Sequence, residues 1–256
     1  MPAEKHFDAF RRFHVSAMGE KAREICEDTA YDSLTFEEKL ELIIDAEIEA
    51  RAGRRLDKLV REAGSRLPGA CVEEILYPSG RKLSRDRVTR LAECAWVDEA
   101  RVLAIIAKTG CGKSYVAQAF GVAACRKGHH VRYVRMQDLF SRLAVARSEG
   151  THHDLIHSLK TVSLPVIDDF MTTPISTQNA VDLLEVVEAR DGKAATIITS
   201  QPGPEDWYPD IDDELIADTL PDRLATGSIF LDIEGPNMRE HMSGGKVREK
   251  EKEKEG

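Results

Sequence analysis

Ala107, Lys108, Thr109, Gly110, Cys111, Gly112, Lys113 and Ser114 follow an apolar run, VLAII at 102–106, and precede the helical pattern YVAQAFGVAACRKG. Glycines at 110 and 112 let the backbone turn so that several N–H groups converge on one anion, and the positive end of the next helix adds to that field. A lysine at the helix start reaches the β- and γ-phosphates of a nucleotide, and the hydroxyl after it ligates Mg²⁺. The eight residues therefore predict an ATP-binding loop with Lys113 on the phosphates and Ser114 on the metal. The usual pattern has glycine at the first position, where this chain has Ala107; a methyl group fits there if φ is negative.

Asp168 and Asp169 close a second apolar run, LPVIDDF at 164–170. A carboxylate at such a strand end stands beside the metal, so Asp168 is expected to bind Mg²⁺ through water. Asp169 occupies the place of the group that polarises the attacking water. It is one methylene shorter than the glutamate usual there, which predicts slow hydrolysis. A third run, TIITSQ at 196–201, ends in Thr199, Ser200 and Gln201, of which Gln201 is the first choice for sensing the γ-phosphate. Arg223 and Arg239 are the only lysine or arginine residues between 195 and 240. Each is a candidate arginine finger, acting on ATP held by a neighbouring subunit, or a partner of the surrounding acids.

Positioning these groups takes a parallel sheet. Five β-rich runs, at 102–106, 131–135, 164–168, 195–199 and 228–233, alternate with helical patterns, which implies βαβ units. Ahead of them the pattern is helical. An amphipathic stretch is expected over 7–28. A long helix opens at Thr35, where Thr35 and Glu38 form a capping box; it runs past residue 60, with Gly53 as a weak point. A third helix is expected from Arg85 to about Ala95, capped by Ser84. The resulting organisation is an all-α domain over 1–98, an α/β nucleotide domain over 99–240 and a charged tail over 241–256.

With 256 residues and 42% hydrophobic content the chain can bury a real core. No apolar run long enough to cross a membrane and no secretory signal are visible, so a cytoplasmic protein is expected. Five cysteines without CxxC spacing suggest neither a disulfide framework nor a zinc ribbon. The net charge of −9 is local: residues 195 to 240 hold eleven acids and two arginines, so the rest is balanced. A basic patch can still exist elsewhere, because the field that attracts phosphate is local. Arg51, Arg54, Arg55, Lys58 and Arg61 recur three and four apart on the long helix; that face either follows a DNA backbone or is a solvated face laced with Glu47–Arg51 and Asp57–Arg61 pairs. His153 and His157 lack a third metal ligand nearby and are read as surface histidines; Cys111 is read as a tolerated small residue.

In order and spacing, these pieces resemble the IstB-like helper ATPases of bacterial insertion sequences, AAA+ relatives of the replicative helicase loader DnaC. The resemblance covers nearly the whole chain: LTFEEKLELIIDAEIEARAGRRL, ECAWVDEA, the phosphate loop, FGVAACRKGHHVRYVRMQDL, LPVIDDF, TIITSQ, ADTLPDRL and IEGPNMRE. It implies an AAA+ P-loop domain with a five-stranded parallel sheet behind a small helical domain, Arg223 as the finger and Arg239 as a second sensor. It further implies ATP-driven assembly of a homo-oligomer on duplex DNA and recruitment of a partner transposase. The other reading is an ATP-switched adaptor of the helicase-loader kind in which hydrolysis matters little. Ala107, Met171 where the family commonly has glycine, and Pro221 ahead of Arg223 depart from the pattern and put turnover in question more than nucleotide binding.

Overall fold

A computed structural model describes residues 4–208, 211 and 213–241. The charged tail expected at 241–256 lies outside the described residues beyond 241. By compactness the chain divides into residues 1–58 and residues 59–256.

The first unit is helical. The amphipathic stretch expected over 7–28 is two helices, α1 (Glu4–Arg12) and α2 (Ser16–Glu27), broken where His14 adopts φ +58°. The two pack closely because Gly19 has no side chain: a Cβ there would lie 2.7 Å from the Cβ of Phe10. Helix α3 (Phe36–Glu62) starts at the capping box, with the Thr35 N–H donating to Glu38 at 2.7 Å and the Glu38 N–H to Thr35 Oγ1 at 3.3 Å. It passes through Gly53 without a break.

In the second unit Ser84 caps α4 (Arg85–Ala92) by accepting the Arg87 N–H. This helix stops short of the expected Ala95. Cys94 turns left-handed at φ +63°, and a single turn, α5 (Ala95–Asp98), follows and buries Trp96 and Val97. Residues 59–98 group with the sheet, so the compact boundary falls well before the expected one near 98. The physical reason is visible in the contacts: Lys82 bridges Glu234 through backbone and side chain, and Arg81 donates to the Cys111 carbonyl.

The sheet consists of β1 (Val102–Ala107), β2 (Val131–Arg135), β3 (Leu164–Phe170), β4 (Thr196–Ser200) and β5 (Ile229–Ile233). All pairs are parallel, in the order β2-β3-β4-β1-β5. Helices α6 (Lys113–Arg126), α7 (Met136–Glu149), α8 (His152–Thr161), α9 (Thr177–Arg190) and α10 (Glu214–Ala225) connect and flank it. Parallel strands need both faces covered, and they are accordingly apolar along their length: Leu103, Ile105, Leu164, Ile197 and Ile198 are essentially inaccessible. This is the five-stranded AAA+ architecture. Strand β4 separates the strand that leads into the phosphate loop from the strand that carries the acids, and the crevice for a ligand opens beyond their carboxyl ends.

Arg190, 3% exposed, ties α9 to the segments that enter β3 and β4. Its Nε donates to Thr196 Oγ1 at 3.1 Å, and its Nη atoms donate to the carbonyls of Leu159, Lys160, Val162, Ser163 and Ala195. Burial lowers its pKa to about 10, so it stays charged at neutral pH. Arg190→Ala orphans several buried carbonyls at once and is expected to cost about 3 kcal/mol or more. A reduced urea midpoint with unchanged nucleotide affinity of the folded protein is the expected readout; an unchanged midpoint refutes it.

Candidate functional site

Ala107 ends β1 outside the left-handed region, which is why alanine is accepted where glycine is usual; the positive φ angles of the loop fall on Gly110 (+85°) and Gly112 (+88°). Gly110 is also the point of closest approach, since a Cβ there would lie 2.5 Å from the Asn237 amide oxygen, and its carbonyl accepts the Met238 N–H at 2.8 Å. The loop is thus clasped by the segment that carries Arg239. Lys113 opens α6 with its side chain almost wholly buried.

Asp168 accepts hydrogen bonds from three hydroxyls, those of Ser114 at 2.9 Å, Thr199 and Tyr133. Burial first, and then the bond to Asp168, push the Tyr133 phenol pKa up, so it remains a donor. Two hard oxygens, the Ser114 hydroxyl on α6 and the Asp168 carboxylate on β3, converge. That donor set fits Mg²⁺, whose remaining positions water and phosphate oxygens would fill.

Asp169 has φ +55°, and the pairing of β3 with β4 shifts register between Ile167 and Phe170. Such an irregularity re-aims side chains, and here Asp169 lines the cavity while the preceding Asp168 is buried against the hydroxyls of Ser114, Thr199 and Tyr133. The Asp169 Oδ1 lies 3.2 Å from Lys113 Nζ, while its Oδ2 accepts from Arg135 Nε and Nη2 at 2.8 Å. Its N–H donates to Thr199 Oγ1 at 3.1 Å. Met171, also left-handed at φ +46° and 1% exposed, stands where glycine would meet no strain.

A cavity of about 800 Å³ joins these groups, within the size range of small-molecule sites. Thr109, Gly110, Gly112, Lys113, Ser114, Asp169, Gln201 and Arg239 all line it. Gln201 accepts from Thr109 Oγ1 at 2.8 Å, which places it on the phosphate loop; Thr199 is the strand-end residue in contact with both aspartates. Arg223 is elsewhere. It pairs with Glu188 at 3.2 Å and Asp191 at 3.1 Å, and it borders a smaller pocket beside Val102 and Thr196, the first residues of β1 and β4. The six residues of β1 separate that pocket from the loop by about 20 Å. Trp207, fully buried, holds the end of β4 by donating to Ser200 Oγ at 3.1 Å and meeting Phe170 edge-on.

Residues 9–244 match the family model described as IstB-like ATP binding protein. The chain belongs to that family. An insertion-sequence ATP-binding protein of Sinorhizobium fredii is 33% identical over 94% of this chain and 98% of its own length. The ATP-binding protein of IS1162 from Pseudomonas fluorescens is 32% identical over 74% and 84%. Among solved structures, the replication initiator DnaA bound to AMPPCP and single-stranded DNA is similar with a TM-score of 0.57 at 21% identity, over 71% of this chain and 55% of the DnaA chain. The chain thus spans just over half of that protein. The DnaC helicase loader gives 0.55 at 17% identity, over 65% of this chain and 97% of that one. These likenesses carry the AAA+ fold, and family membership makes this an ATP-binding chain.

Arg135 and Tyr133 are among the site residues not singled out from the sequence. Arg135 ends β2 in register with Asp168, and Tyr133 lies two residues earlier on the same strand. The available signal was the polar residue ending VRYVR beside the acidic strand, legible only once β2 and β3 are known to be neighbours. On the proposed DNA face, Arg51 Nε and Arg54 Nη2 both donate to Glu47 Oε1, at 3.0 and 2.9 Å. The Arg51 bond is the main reason the Glu47 carboxyl is held below its ordinary range. Arg55, Lys58 and Arg61 are exposed, and Lys58 has a partner of its own. No helix among the described residues is long and apolar enough to cross a membrane.

Proposed function

We propose that this chain hydrolyses ATP as a helper of DNA transposition, forming a homo-oligomer on duplex DNA with ATP bound and recruiting a partner transposase. The observation that carries the hydrolytic reading is the placement of Asp169 against Lys113 in the lining of a cavity that also takes in Ser114, whose hydroxyl is hydrogen-bonded to the buried Asp168. In this reading Lys113 leaves Asp169 for the β- and γ-phosphates when ATP enters, freeing Asp169 Oδ1 to accept a proton from the attacking water. Ser114 and Asp168 would hold Mg²⁺, which would supply neutralisation of the charge developing on the phosphates. Gln201 and Arg239 read the γ-phosphate from the cavity wall. Arg223 stands too far from the phosphate loop of its own chain and acts on ATP of the neighbour, a role that supports the oligomer. Residues 1–98, of which 59–98 also group with the sheet, serve as the DNA- and partner-binding part, and the protein works in the cytoplasm.

The second reading, an ATP-switched adaptor with little turnover, is favoured by one feature: both oxygens of Asp169 are already engaged by cations. ATP hydrolysis with and without long duplex DNA, with Lys113→Ala as control, separates the two. A Lys113-dependent rate that DNA raises supports the helper; ATP binding with no turnover on DNA rejects it in favour of the adaptor.

A further inference from the structure

The first half of α3 exposes a row that the first unit leaves uncovered. Phe36, Leu40, Ile44 and Ile48 recur every four residues and are 75%, 41%, 42% and 59% exposed. The next residue after each is acidic: Glu37, Glu41, Asp45 and Glu49, all exposed. Residues four apart on a helix are neighbours, so an apolar ridge about 18 Å long runs beside an acidic ridge of equal length. Among the described residues none of these four acids has an ion-pair partner, whereas Glu47, on the covered side of the helix, has two. Like charges four apart destabilise a helix. Among the described residues no ion pair offsets this row.

We propose that this double ridge docks a helix of a partner protein whose own apolar i, i+4 row is flanked by lysine or arginine. Ridges of this spacing pack into the grooves of a second helix, burying the four apolar side chains, while the basic flank meets the acidic row. Charge selects the occupant. The acids repel nucleic-acid phosphate from this face, and an antiparallel pairing with a second copy sets each acidic row against its own like. The partner segment needs about three to four turns to match the ridge. This surface lies away from the nucleotide cavity in sequence, and the inference does not depend on whether ATP is hydrolysed.

The test uses the full chain and two labelled 16-residue helical peptides with leucine at i, i+4, i+8 and i+12, one carrying lysine after each leucine and the other glutamate. Fluorescence anisotropy at 0.1 M salt should show the lysine peptide binding at least tenfold more tightly. Glu41→Lys/Asp45→Lys should reverse that preference, which a general attraction to an acidic protein would not do, and Ile44→Ser should weaken both peptides. Equal binding, no binding of either peptide, or a preference unchanged in the double variant overturns the proposal. So does a dimer in sedimentation velocity that Ile44→Ser dissociates, since a second copy then occupies the ridge.

Discussion

Lys113→Ala is expected to weaken ATP binding by roughly 30- to 150-fold while leaving the protein folded. The lysine is the one cation that both opens α6 and lines the cavity, so its loss removes a charge-assisted contact to the phosphates worth about 2–3 kcal/mol. The backbone N–H groups of the loop and the helix N-terminus remain, which is why binding falls rather than vanishes. Folding is spared for a local reason. Asp169 keeps its two bonds from Arg135, and alanine leaves no unpaired cation in a site where Lys113 is 6% exposed. Calorimetric titration with a non-hydrolysable ATP analogue reads the affinity. A loss of less than threefold places the phosphates elsewhere than against Lys113.

How much of this was legible in the sequence depends on whether the responsible signal is local. The five strands were, because apolar runs bounded by turn residues are a property of consecutive positions; β3 alone extends two residues further, through both aspartates to Phe170. The phosphate loop was equally legible, since its glycines, lysine and serine are contiguous and their φ angles follow from residue type. The helix breaks at His14 and Cys94 were not, since both are left-handed turns at residues that carry no strong turn signal. Nor was the reach of the sheet unit into residues 59–98, which rests on Arg81 and Lys82 meeting Cys111 and Glu234 across long stretches of chain. Arg135 was hidden for the same reason. Nothing near it in sequence points to Asp169; only the β2–β3 pairing and the register shift that turns Asp169 into the cavity bring the two together.

That last contact sharpens what Asp169→Asn should do. An amide cannot take a proton from water, so turnover is expected to fall by about 10²- to 10⁴-fold, the usual contribution of a general base. ATP affinity should hold or rise, because the carboxylate that pairs with Lys113 and so competes with the phosphates for it has been neutralised. The same change leaves Lys113 and Arg135 as neighbouring cations without their shared carboxylate, so the ATP-free protein should melt at a lower temperature. Nucleotide phosphates restore the missing negative charge, and the rise in melting temperature on adding ATP should therefore be larger in the variant than in the parent. Single-turnover hydrolysis and thermal melts with and without ATP read the two effects separately. Retained turnover would remove Asp169 from the chemistry, and an equal ATP-induced shift in both proteins would mean that Lys113 does not exchange Asp169 for phosphate.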